Sequence, residues 1–167
     1  VGNGRVYFYD HFGSSDEENL LSRIRYFGVA LGCKYIILDH LSIVVSGLEG
    51  GDERRIIDNT MTKIRTLVEE LGIGMILVSH LKRPNSDKGH EDGLKTSLAQ
   101  LRGSAGIGQL SDIVIGLERN QQAKETSDLS TVRILKNRWT GETGICCQLV
   151  YSKETGRMKE QLEEVDF

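Results

Sequence analysis

The chain has 167 residues, with 21 Lys and Arg against 24 Asp and Glu and a formal charge of −3. That suits a single globular domain and gives no global signal for nucleic acid. No apolar run approaches the roughly 18 residues of a membrane span, and VGNGRVYFYD lacks the charged start and apolar core of a signal peptide, so neither membrane nor export is expected. The three cysteines, Cys33 and the adjacent Cys146 and Cys147, fit neither a disulfide framework nor a zinc site and point to a reducing cytosol.

In chain order, RVYFYD (5–10) predicts a short strand. SSDEENLLSRIRYFGVALG follows, with Ser15 or Asp16 as N-cap, apolar Leu20, Leu21, Ile24, Phe27 and Leu31, and Gly32 as the stop. KYIILD is a continuous apolar strand, the kind buried on both faces. GDERRIIDNTMTKIRTLVEELG predicts a second helix with Ile56, Ile57, Met61, Ile64, Leu67, Val68 and Leu71 on its apolar face. IGMILVSHL is another apolar strand. The alternation of strand and helix predicts a parallel sheet with helices on its faces. KRPNSDKGHEDGLKTS (82–97) is polar, holds the only proline and reads as a mobile surface loop. LAQLRGSAGIGQLSD predicts a short helix behind a glycine-rich lead-in, and DIVIGLER a fourth buried strand. STVRILKNR and ICCQLVYSKETGRMKEQ predict antiparallel strands, the second a hairpin turning at KETG.

Asp39, at the end of KYIILD, raises the question of chemistry. A buried strand that delivers one carboxylate at its C-terminal end can orient magnesium or its water at nucleotide phosphates. In P-loop ATPases such an aspartate needs a G-x-x-x-x-G-K-[ST] loop earlier in the chain, and the sequence contains none. GHEDGLKTS (89–97) has glycines, a lysine and a threonine, but the spacing is wrong and it follows a loop instead of a strand. Taken alone, Asp39 is equally well a strand-end turn cap.

Four segments, IILDH, LVSHLKRP, LRGSAGIGQLSD and LERNQQ…VRILKNRWTGETG, stand in an order that resembles the C-terminal part of the hexameric RecA-type helicase core. The nearest likeness is to the primase–helicases of short-tailed phages of the T-seven type, within the DnaB-type replicative helicase superfamily. The resemblance covers nearly the whole chain. It implies an α/β, RecA-like P-loop NTPase core: a mainly parallel sheet flanked by helices, with a C-terminal antiparallel hairpin. One partial core over 1–160 and an acidic tail over 161–167 follow from it. The family's P-loop and catalytic glutamate would precede VGNG, so the chain is expected to be the second half of an ATPase domain and inactive by itself.

Matched to the family, Asp39 is the Walker B carboxylate that orients Mg2+ with ATP or a dNTP. His40 is expected to face the other side of the strand, as a packing residue or as one that supports the site residues from behind. His80 matches the sensor of the γ-phosphate, and Gln109 the glutamine that couples nucleotide state to the DNA loops. A basic residue that some relatives carry just before that glutamine is Gly108 here. Arg138, with Lys136 two residues before it on the same strand face, matches the arginine finger that reaches a neighbouring subunit's nucleotide. Arg119 and Tyr151 match the pair that sandwiches the base, chemistry suited to a guanidinium and a phenol. Lys82, Arg83, Lys88 and Arg102 lie in or beside loops that resemble the family's single-stranded DNA contacts. Each also has a plainer reading: a strand-end histidine, a helix-face glutamine, solvated basic residues. The tail KEQLEEVDF, ending in Phe167, resembles acidic tails that dock on the replicative polymerase; a bare terminus is the alternative.

The function implied is a part of a ring-shaped, hexameric DNA helicase that couples NTP hydrolysis to 5′–3′ movement on single-stranded DNA, in the host cytoplasm if phage-encoded. A non-catalytic RecA-like docking or regulatory module is the alternative. A recombinase- or KaiC-like ATPase fits the KNR and TG-x-TG pattern less well.

Overall fold

The computed structural model of the chain describes residues 6–9, 17–44, 53–85, 87–102 and 105–161. Ser15 and Asp16, residues 45–47 of LDHLSIVVSG, Gly103 and Ser104 of LRGS, and the tail from 162 to Phe167 therefore lie outside the described residues. The chain forms two compact units, Val1–His80 and Leu81–Phe167.

In the first unit, helix α1 (Glu17–Val29) opens on Glu17 and Glu18, whose charges suit the positive end of a helix dipole. It buries Leu20 and Ile24, one turn apart. Strand β1 (Tyr35–Leu38) follows, then a single 3-10 turn at Leu41–Val44. Helix α2 (Glu53–Leu71) buries Ile57, Thr60, Met61, Ile64 and Leu67, three and four residues apart as a 3.6-residue repeat requires. It ends at Gly72, whose φ of +60° is the left-handed stop that glycine takes without strain. Strand β2 (Gly74–Leu77) then pairs with β1 in parallel, Tyr35 opposite Gly74 and Leu38 opposite Leu77. Ion pairs Lys63–Glu17 at 2.6 Å and Arg25–Glu70 at 3.0 Å join the two helices.

Two expectations change here. Val6–Tyr9 form no strand. The apolar run of β1 is buried on one face only: Ile36 and Leu38 are half-buried, while Tyr35 and Ile37 are 78% and 68% exposed. A run that is apolar at every position fits one-sided and two-sided burial equally, because what covers each face comes from elsewhere in the chain.

The second unit is built on an antiparallel sheet in the order β3-β4-β5-β6, from strands Ile113–Arg119, Leu129–Asn137, Gly144–Ser152 and Arg157–Glu160. The last two make the expected hairpin, turning through Lys153–Gly156. DIVIGLER is thus an antiparallel neighbour of β4 and not a strand buried on both sides: Val114 and Gly116 are buried, whereas Leu117 is 69% exposed. The expected short helix is two pieces, a 3-10 turn at Leu98–Gln100 and helix α3 (Ala105–Leu110). No helix among the described residues is long and apolar enough to cross a membrane.

The polar segment 82–97 is not the untethered loop its composition suggests. At its start Leu81 bridges Leu101 and Lys82 N donates to Gln100 O at 2.7 Å. Further along, Gln121 N donates to Glu91 O at 2.8 Å and Asp92 bridges Asn120. Thr96, only 2% exposed, closes the segment against β3. Backbone groups and short polar side chains supply these ties, so a search for apolar periodicity does not register them.

Candidate functional site

Asp39 and His80 leave the carboxyl ends of β1 and β2, the edge where parallel α/β sheets place their ligands. Parallel pairing fixes this: Val78 N donates to Leu38 O at 2.9 Å, and Leu41 N to Val78 O at 3.0 Å, on either side of Asp39. Asp39 and His80 are both exposed. His40 does not turn away from this edge; its ring lies against that of His80, centroids 4.3 Å apart and planes tilted by 40°. The His40 Nδ1 is buried without a hydrogen-bond partner among the described residues. Among the described residues no cluster of three or more His, Cys, Asp or Glu could hold a metal ion. A cation at Asp39 would therefore take one carboxylate and fill its shell with phosphate and water oxygens, which is the way magnesium is commonly held.

In the second unit, the α3–β3 junction collects three of the expected site residues. Gln109 is exposed on α3. Lys136 Nζ, on β4, donates to the carbonyls of Gly108, Gln109 and Ser111 at 2.8, 3.0 and 2.7 Å. An ammonium has three protons, so all are used, and the positive charge sits where a helix C-terminus favours it. Arg138 is held to the same junction: its N–H donates to Asp112 O at 2.9 Å and its Nη1 pairs with Asp112 Oδ1 at 3.0 Å. That pair is half-exposed, worth about 1 kcal/mol or less, and a weak hold on the guanidinium.

Arg119 ends β3 and Tyr151 lies near the end of β5, and both are supported by the segment entering β4. Arg119 Nε donates to Ser127 O at 2.6 Å, and Tyr151 N to Asp128 O at 3.0 Å. The sheet thus brings both expected base-stacking residues to one end. Lys82, Arg83, Lys88 and Arg102 are all exposed, the first three on the tethered segment.

The residues missed in the sequence are those that hold that segment. Glu118 Oε1 accepts from Thr96 N at 2.7 Å and from Thr96 Oγ1 at 2.8 Å. Arg133, on β4, grips the same carboxylate with two bonds, Nε to Oε1 at 2.7 Å and Nη2 to Oε2 at 3.0 Å. Only 15% and 8% of the Arg133 and Glu118 side chains are exposed. The Arg133 hydrogen bond leads the causes that bring the Glu118 carboxyl down to about 2, with the two Thr96 bonds adding to it and burial opposing. Glycine at 116 is required beneath Thr96, since a Cβ there would overlap the Thr96 hydroxyl. A Gly-x-Glu step on an apolar strand was the one legible signal for this arrangement.

The profile of the DnaB-like helicase C-terminal domain matches residues 3–160. The chain belongs to that family. This DnaB-like domain is 44% identical over 155 residues to a DNA helicase/primase of Enterobacteria phage T3, covering 93% of the chain and 27% of that protein. It is 27% identical over 127 residues to a probable plasmid replicative DNA helicase of Chlamydia psittaci, covering 75% of the chain and again 27% of the relative. The chain thus spans about a quarter of the length of these relatives. Among solved structures, a DnaB-like replicative helicase described with its primase interactions superposes with a TM-score of 0.70 at 22% identity, over 90% of the chain and 36% of that structure. The ATPase domain of a second protein gives 0.69 at 22%, over 90% and 52%. A KaiC-like protein of Pyrococcus horikoshii gives 0.59 at 19%, over 87% and 57%. The fold is that of RecA-like helicase ATPase domains.

Proposed function

We propose that this DnaB-like domain is the C-terminal part of a ring-forming replicative helicase, hexameric in its working state. It couples hydrolysis of ATP or a dNTP, with Mg2+, to 5′–3′ movement along single-stranded DNA. One partial RecA-like core spans 1–160, and 161–167 form its acidic tail. Asp39 orients the magnesium, His80 reads the γ-phosphate, and Gln109 passes nucleotide state to the DNA segment. Arg138, steadied through the junction that Lys136 caps, swings from Asp112 to stabilise charge on the neighbouring subunit's nucleotide. Arg119 and Tyr151 stack on the base. Lys82, Arg83, Lys88 and Arg102 meet DNA phosphates. The tail through Phe167 docks on the replicative polymerase, and the site of action is the host cytoplasm.

The observation that carries this reading is the parallel pairing that sets Asp39 and His80 at neighbouring strand ends. Bound magnesium would supply neutralisation of phosphate charge there. The 167 residues by themselves are expected neither to hydrolyse NTP nor to unwind DNA, for want of a P-loop; turnover above background by the purified chain would overturn that expectation. In a helicase polypeptide that joins this domain to a P-loop segment, Asp39→Asn is expected to lower DNA-stimulated hydrolysis about 100-fold or more, the scale of a lost metal ligand. Near-normal turnover by that variant would remove Asp39 from the metal-orienting role.

A further inference from the structure

The polar segment 82–97 is tied to β3 and the turn after it at three points: Thr96 to Glu118, Asp92 to Asn120, and Glu91 to Gln121. These three lie on both sides of Arg119. The tightest is the first, where one buried carboxylate holds Thr96 by its amide and hydroxyl while Arg133 locks the same carboxylate to β4. Four bonds to an ionised, nearly buried group resist displacement far better than an exposed pair does. Gly116 leaves the space in which Thr96 sits.

We propose that Thr96 and Glu118 are positioning residues that weld the base of the 82–97 segment to the end of β3, so that DNA held by the segment alters how Arg119 engages the nucleotide base. The inference rests on the proposed helicase function, in which the segment meets DNA and Arg119 meets the base. It adds a direct path between them that bypasses the phosphate sensor His80. The weld transmits force because the carboxylate is shared: a displacement of Thr96 pulls on the atom that Arg133 holds. Arg119 follows because it is the next residue along the strand and its own side chain is held by Ser127.

The test uses the intact helicase polypeptide and compares hydrolysis with and without oligo-dT. Thr96→Val keeps the shape and the amide bond but removes the hydroxyl donor. It is expected to reduce stimulation by DNA about fivefold and to abolish the DNA-induced change in KM for nucleotide, with DNA-free turnover unchanged. Thr96→Ser, which keeps the hydroxyl, is expected to behave as the parent, and Gly116→Ala, which crowds Thr96 out, like Thr96→Val. Full DNA stimulation in folded Thr96→Val would overturn the proposal. So would an equal fall in basal and stimulated turnover, the mark of a merely structural role. A separate control isolates the underlying reading: if Lys82→Ala, Arg83→Ala and Lys88→Ala together leave DNA affinity intact, the segment is not the DNA contact and the proposal falls with it.

Discussion

A carboxylate that accepts four hydrogen bonds in a nearly buried site is a different acid from one in water. Glu118 shows this, its carboxyl drawn down to about 2 from 4.5, chiefly by Arg133. A depressed carboxyl adds stability that is fully present above the unfolded value. It is lost as pH falls from about 4.5 through about 2, and is worth about 3 kcal/mol in all. Thermal melts of the chain across that window are expected to drop more steeply for the parent than for Glu118→Gln, which has no proton to gain. Equal slopes would mean that other carboxylates govern the acid limb. At the same scale, the residue types of the KNR step were readable, but their contacts were not. The acceptors of Lys136 lie 25 to 28 residues away, beyond any local pattern.

Helix α2 is the element the sequence describes best, since its amphipathic repeat runs for 19 residues and the glycine stop sits where the pattern ends. One residue departs from it. Thr60 is fully buried on the apolar face, and its hydroxyl has no hydrogen-bond partner among the described residues. An unpaired buried hydroxyl costs roughly 1–3 kcal/mol. Thr60→Val, nearly the same shape, is therefore expected to stabilise the chain by about 1 kcal/mol, and chemical denaturation will read it as a higher midpoint at unchanged slope. A loss of stability would show that the hydroxyl finds a partner in solution. The strands were legible as strands and misjudged in their surroundings. β1 and β3 both read as doubly buried, and each has one open apolar face.

For the molecule as a whole, a formal charge of −3 opposes binding to DNA, so the proposed affinity would have to come from few, local contacts. Counterion release then gives a direct measure of them. In the helicase polypeptide, substituting Lys82, Arg83 and Lys88 together by alanine is expected to flatten the slope of log affinity against log salt by about two, at roughly 0.7 for each single-strand phosphate no longer neutralised. An unchanged slope would place the phosphate contacts elsewhere.

The sequence by itself determined the two long helices, the positions of the six strands described, the hairpin at KETG and the family, through patterns written within a dozen residues and motifs kept in order. It also placed a strand at 5–10 and one short helix at 98–112 that the described residues do not form. The tertiary structure alone decided that β3 pairs backwards with β4, that the polar segment is tethered, and that Glu118 is the group that tethers it. Those outcomes depend on contacts 15 and 22 residues apart along the chain. Hydrophobic periodicity reports which side of an element is apolar, and it carries no information about which distant donor will meet a given carboxylate. Only closure of the chain brings Thr96 and Arg133 to the same carboxylate.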